Sequence, residues 1–527
     1  MDRRRLTLTA VVLASAIVFL DSTIVNVALP RIGRELPVSF VGVLEGQSYV
    51  VNGYLLTLSA LLILSGALAD RYGRKRLFLI GLVGFGITSV LCGLAQSMEM
   101  LILFRLVQGA FGALLVPTSL AIINATFEGA ELGRAFGIWA AASSATTVIG
   151  PLVGGFLVDT IGWRVAFLIN APLVAGAVLL ALTQLPESRD EHASSRFDWL
   201  GAAVIAIAVG GLAYGAIRGQ ERNWVDLSAW IGLGVGALAT VLIVPLMRLR
   251  SDPLVPPGLF RSRNFTVTNI STFLVYGALY SFSAFMAIYL QGTLGYTAAA
   301  SGATGLPIGI LLAVFSTTVG TYAGRLGPRS FMAAGPFIMG AGLLWLARVP
   351  ADSQPWRASL SDPGSLVPPV SVVIDLVPAL LLFAVGITLL VAPLTTALMT
   401  SVPTRNSGLA SAINNAISRI GPLLAGALIF IVVTAGFYGS LAARVPGLDT
   451  GSTALRARIQ PLNPPRAGVP PSQVEAARQA STDAFHLAML IAALLCISGG
   501  IVNAVGIRNP RLGAAEVGPA SASTTAG

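Results

Sequence analysis

The chain has 527 residues, of which 55% are hydrophobic and only 11% charged, and a formal net charge of +10. A soluble domain carries about 25% charged residues, so the surface of this chain is built for a bilayer rather than for water. Its basic residues sit in short loops between apolar runs, where they set topology, so the positive charge does not point to nucleic acid.

The first apolar run, Leu6 to Leu29, follows Arg3, Arg4 and Arg5 and holds Asp21 and Asn26. It is longer than the roughly 7–15 residues of a signal-peptide core, and a cleaved signal would be apolar throughout, so it reads as a first span. Runs of about 20 apolar residues, enough at about 1.5 Å per residue to cross a bilayer, then recur along the chain. They fall near 6–29, 48–69, 77–96, 100–124, 136–157, 164–185, 197–217, 227–247, 267–290, 300–322, 331–349, 374–398, 408–436 and 484–507. The expectation is an all-α membrane protein of fourteen transmembrane helices. An even count puts both termini on one side, and the bias of Lys and Arg, including Arg71, Arg74, Lys75 and Arg76, makes that side cytoplasmic.

Two stretches repeat. Gly66-Ala67-Leu68-Ala69-Asp70-Arg71-Tyr72-Gly73 after span 2 is echoed by Gly320-Thr321-Tyr322-Ala323-Gly324-Arg325-Leu326-Gly327 after span 10, where glycine replaces the acid. Ile149-Gly150-Pro151-Leu152 in span 5 returns as Ile420-Gly421-Pro422-Leu423 in span 13. Both pairs lie eight spans apart, as a duplicated six-helix unit with two helices inserted between its copies requires. The predicted organisation is a first half at 1–190, an inserted pair at 191–255, and a second half at 256–510. That second half includes an external linker loop at 437–483, with a short helical stretch near Ser472 to Phe485. A disordered tail follows at 511–527.

Cys92 and Cys496 each lie in an apolar run, His192 lies outside the runs, and His486 stands at the very start of the last one. That leaves no disulfide framework, metal site or Ser-His triad to read, so no cofactor and no enzyme activity are expected. Lysine occurs once, at Lys75, against many arginines, a bias that hints at a GC-rich bacterial genome.

The run Gly66-x-Leu68-Ala69-Asp70-Arg71-x-Gly73-Arg74-Lys75-Arg76 resembles the loop signature between helices 2 and 3 of the major facilitator superfamily. Leu101-x-x-x-Arg105-x-x-Gln108-Gly109 resembles its helix 4 motif, and Gly150-Pro151-x-x-Gly154-Gly155 its antiporter-associated helix 5 motif. Leu20-Asp21-x-Thr23-Ile24-Val25-Asn26-Val27-Ala28-Leu29-Pro30, with Tyr289-Leu290-Gln291 and Gly295-Tyr296, is similar to the fourteen-span multidrug drug:proton antiporters. The resemblance implies the major facilitator fold, two six-helix halves plus two inserted helices. It also implies a proton-coupled exporter of small hydrophobic or cationic molecules, driven by the proton gradient in a bacterial inner membrane. A monomer in the lipid bilayer is expected. A same-fold carrier of a specific metabolite, and a membrane receptor or enzyme without transport, stand as alternatives.

An ionised carboxylate inside a span costs several kcal/mol unless paired or hydrated, so Asp21 is the leading proton carrier; a structural hydrogen bond to a neighbouring helix is the competing account. Counting residues from the span ends puts Arg105 at a depth similar to that of Asp21, so the two are expected to pair. A close arginine keeps the carboxylate ionised and separation lets it take a proton. Arg105 could instead only brace backbone carbonyls. Asp70 closes span 2 where the helix dipole disfavours a negative charge, so it needs a cation or another helix's N-terminus. The resemblance implies a latch to the opposite half made by Gly66, Asp70, Arg71, Gly73 and Arg74. Gly150, Pro151, Gly154 and Gly155 offer a small-residue face and a helix irregularity, for a pivot or for close packing alone. Asn26, Tyr276, Tyr280, Phe285 and Arg419 are the candidate substrate-lining residues, with Arg419 lacking an evident counter-ion. Glu45 and Asp375, at outer span ends, would add a preference for cations.

Overall fold

The computed structural model describes residues 3–37, 43–188, 197–221, 224–358, 362–465 and 468–509. Its long helices are α1 (Arg3–Glu35), α2 (Val43–Tyr72), α3 (Arg74–Gly93), α4 (Met98–Thr126), α5 (Gly129–Thr160) and α6 (Val165–Gln184, with a turn at Ile169). They continue with α7 (Trp199–Glu221), α8 (Leu227–Leu249), α9 (Arg263–Ile288), α10 (Leu306–Leu326) and α11 (Arg329–Leu346). The last three are α12 (Val377–Thr400), α13 (Ser407–Arg444) and α14 (Pro471–Gly506). Helices satisfy their own backbone hydrogen bonds, as a segment surrounded by lipid must. Among the described residues thirteen are long and apolar enough to cross a membrane, and α5 is a fourteenth long helix of 32 residues.

The packing repeats with the predicted offset of eight. α2 packs on α13 and α10 on α5; α4 packs on α13 and α12 on α5. Within the halves, α1 and α3 pack on α6 as α9 and α11 pack on α14. Exchanging helix n for helix n+8 turns each contact into its counterpart, so the two halves face each other across a pseudo-twofold axis. The inserted α7 and α8 pack on each other, and α7 leans on α2 and α13, so the pair lies outside the seam between the halves.

Two elements differ from the sequence reading. Helix α13 runs on to Arg444 and α14 begins at Pro471, so the segment 437–483 is largely helical and the stretch near Ser472 is the first part of α14. The connection between them is packed rather than a free linker: Ile459 and Leu462 are buried, the Tyr438 hydroxyl donates to Ile459 O, and Leu462 N donates to Ser481 Oγ. It seals the far end of the second half, where Thr293 donates to Leu462 O. Second, α5 remains a continuous helix through Gly150 and Pro151, so this proline does not break it. The tail at 511–527 lies outside the described residues.

Candidate functional site

Asp21 lies in the middle of α1 and is fully buried, and its pairing with Arg105 of α4 is as expected: Arg105 Nη1 donates to Asp21 Oδ2 at 2.6 Å. Both side chains are sealed from solvent, with Arg105 1% exposed. The other carboxylate oxygen accepts from Asn170 Nδ2 at 2.9 Å and from Gln108 Nε2 at 3.2 Å. Arg105 also donates to Val50 O at 3.1 Å and to Gln108 Oε1 at 2.9 Å, and its guanidinium lies 4.0 Å from the centre of the Tyr54 ring. Ser89 Oγ, which donates to Phe167 O, accepts from Asn170 in turn. One charge pair therefore ties together α1, α2, α3, α4 and α6, and every donor in it has a geometric reason to be there. Gln108 lies one turn after Arg105, and Asn170 opens the helical stretch after the turn at Ile169. A pair this buried is held by its hydrogen bonds, because desolvation alone costs several kcal/mol per ion.

Around this core, Gly150 and Gly154 press α5 against α1. A Cβ at Gly150 would collide with Thr23, and one at Gly154 would meet Ile24 at 3.0 Å, both within one turn after Asp21. Gly421 does the same for α13 on α9, where a Cβ would meet Phe273 at 3.1 Å. The surroundings of Pro151 and Gly155 lie outside the described set.

At the end of the bundle that carries the termini, Asp70 reaches across to the other half. Its carboxylate accepts Gly408 N at 3.1 Å and Leu409 N at 2.9 Å, the free amides of the first turn of α13, and Arg74 holds Oδ1 at 2.9 Å. Arg74 also donates to Thr404 O at 2.5 Å, before α13. Asp70 thus gains both partners that its place at a helix C-terminus demands: a cation and another helix's N-terminus. Gly66 allows this approach, since a Cβ there would collide with Gly408 O and Ala412. Gly73 has φ of 107°, a turn that L side chains rarely adopt. Arg71 stacks over Tyr72 and Phe197. In the pseudo-equivalent contact a Cβ at Gly320 would meet Gly133 O at 2.5 Å, and Gly324 stands where the acid would be. The asymmetry follows from the helices served. Helix α13 has no acid in its first turn and takes Asp70 from outside, whereas α5 carries Glu131 in its own.

The remaining sequence candidates divide. Tyr280 is 55% exposed and Tyr276 half-buried, with ring centres 6.5 Å apart. Phe285 is buried and packs in the hydrophobic core of the second half. Tyr289 is likewise core, stacked on Phe485 at 4.0 Å. The side chains of Asn26 and Glu45 lie outside the described set. Asp375 accepts from Ser353 at 2.8 Å. Arg419 is half-buried, and its buried Nε has no hydrogen-bond partner. Sequence reasoning missed Asn170, Ser89 and Tyr54 as members of the site. The signal for Asn170 was available, an amide inside an apolar run.

The sequence model of the Major Facilitator Superfamily matches residues 11–426. The chain belongs to that superfamily. It is therefore a transporter and not an enzyme. Among its relatives, the multidrug resistance protein Stp of Mycobacterium tuberculosis is 36% identical over 84% of this chain and 78% of its own. The puromycin resistance protein pur8 of Streptomyces alboniger is 32% identical over 82% of each chain. The methylenomycin A resistance protein of Bacillus subtilis is 31% identical over 79% of this chain and 84% of its own. The human organic anion transporter MFSD10 superimposes on 95% of this chain and 100% of its own with a TM-score of 0.59 at 14% identity, a likeness of fold. Within the superfamily's two-half architecture, the contacts named above between the halves close the end that carries the termini.

Proposed function

We propose that this protein is a proton-driven antiporter that exports hydrophobic or amphipathic small molecules, a multidrug efflux carrier of the bacterial inner membrane with both termini in the cytoplasm. The observation that carries the reading is the Asp21–Arg105 pair, a sealed carboxylate at mid-span in the segment that resembles drug:proton antiporters. Relatives named for multidrug, puromycin and methylenomycin A resistance support export of drug-like molecules.

The geometry suggests how a proton acts. While Asp21 is ionised it clamps α1 to α4 and α6 through Arg105, Gln108 and Asn170. A proton on Asp21 removes the charge that Arg105 and the amides are arranged around, while Arg105 keeps Val50 O and Gln108 Oε1. The clamp loosens without leaving the guanidinium bare. On this reading the Asp70 latch at the terminus-bearing end belongs to the outward-facing state, in which substrate is exchanged for a proton.

The test is substrate-stimulated proton release from everted vesicles. Wild type is expected to release protons on addition of substrate and Asp21→Asn, which keeps the shape and removes the charge, to release none. Undiminished release in Asp21→Asn would overturn the assignment.

A further inference from the structure

Arg419 sits on α13, two residues before the Gly421 that packs against α9, and it is the one charge of this site that the coupling machinery does not absorb. Its neighbours on the helix are engaged: Asn414 donates to Asn269 and Thr272, Asn415 to Ser411 O, and Ser418 to Asn415 O. Among the described residues no carboxylate lies within ion-pair distance of Arg419, and its buried Nε has no hydrogen-bond partner. A guanidinium stays protonated, and an unpaired charge within a span is retained against a cost of several kcal/mol, which marks a functional site. Asp21, the acid that a cationic drug would seek, is 0% exposed, with Arg105, Gln108 and Asn170 already bonded to its oxygens. Since Asp21 and Arg105 cancel, the charge left without a counter-ion among these described residues is positive.

We propose that Arg419 is a substrate-binding residue that recognises an acidic group (carboxylate, phenolate or sulfonate) on an otherwise apolar molecule, so that the carrier prefers organic anions to cations of the same skeleton. The planar guanidinium offers paired donors that match an oxyacid, and the unsatisfied Nε is one of them. This deepens the export reading and revises the sequence-based expectation of cationic substrates.

Fluorescein and rhodamine 123 share a xanthene skeleton and carry opposite charges, and both fluoresce. Binding to the purified full-length protein and efflux from proteoliposomes are compared for wild type, Arg419→Gln, Arg419→Lys and Arg419→Glu, after each variant is shown to be monodisperse. Wild type is expected to favour fluorescein. Arg419→Gln should weaken fluorescein binding by about tenfold or more, because it removes one partner of a charge pair. Arg419→Lys should keep most of the preference, and Arg419→Glu should invert it towards rhodamine 123. A wild type with no preference for the anion overturns the proposal. So does an Arg419→Gln that lowers both dyes equally, which would make the residue a brace or a coupling element. Binding needs no proton gradient, so failure here is separable from failure of antiport, which Asp21→Asn reports.

Discussion

At Asp21 the structure replaces a charge in lipid by a charge in a cage. Three side chains from two other helices converge on one carboxylate, so each donor can be removed singly. Asn170→Leu strips one donor from Asp21 Oδ1 and leaves Ser89 Oγ without that donor as well. Losing a buried partner costs about 1–3 kcal/mol, so the thermal midpoint of the detergent-solubilised protein should fall. Ser89→Ala, one bond further out, should lower it less. Equal losses would mean that Asn170 does not support the carboxylate. Arg105→Leu leaves Asp21 without its cation and should cost about 3–5 kcal/mol, with little folded protein recovered by size-exclusion chromatography, whereas Arg105→Leu combined with Asp21→Leu should recover folded protein. Gln108 stood inside the helix 4 motif and could be read from the sequence as a polar group one turn from Arg105. Tyr54 could not, because an aromatic in an apolar span carries no sign of the cation above it.

At the scale of helices the latch and the glycine faces decide what moves. Asp70→Asn keeps the shape of the side chain but gives the α13 amides a single neutral oxygen to share, and it loses the charge-assisted bond to Arg74. A cysteine at Leu409, buried in the closed latch, reports on this: its alkylation from the terminus-bearing side should speed up when Asp70→Asn is added. An unchanged rate would show that the latch is not Asp70. Gly66→Leu forces a side chain into Gly408 O and Ala412. Overpacking of this kind costs about 1–3 kcal/mol, so the state in which α2 and α13 part should gain by about tenfold, with the same alkylation as the measure. The helix 5 motif reads differently once packed. Gly150 and Gly154 fit against Thr23 and Ile24 of α1, so their smallness serves approach to the charge site, and the helix itself is unbroken.

For the whole molecule, the pseudo-twofold arrangement makes a prediction that neither half makes alone. Gly66 packs α2 against Gly408 of α13 and Gly320 packs α10 against Gly133 of α5, so equivalent helix pairs meet through glycine in the exchanged halves, one turn apart in register. Gly320→Leu should therefore loosen the terminus-bearing end as Gly66→Leu does, although its half lacks the loop acid. A cysteine at Leu409 should gain reactivity in both variants; no gain in Gly320→Leu would show that the two seams open independently. The inserted helices α7 and α8 stand outside this seam, α7 resting on α2 and α13. Their sequence offset of eight and their peripheral position are two views of one fact. A pair inserted between duplicated halves can be accommodated only where it does not come between their packed faces.

The apolar runs by themselves marked the spans, because a backbone in lipid has to close its own hydrogen bonds and a bilayer fixes the length over which it does so, and the two repeated stretches eight spans apart carried the two-half plan. They also marked Asp21, Arg105 and Asp70, since a charge placed against that background stands out. The sequence could not say who satisfies each charge. That Asp70 caps a helix more than 330 residues later, that Asn170 completes the Asp21 cage, and that Phe285 is core while Arg419 is left over were decided only by packing. Partners across helices depend on rotation about each helix axis and on which glycines let the backbones meet. Neither is carried by the one-dimensional pattern of apolar and polar residues.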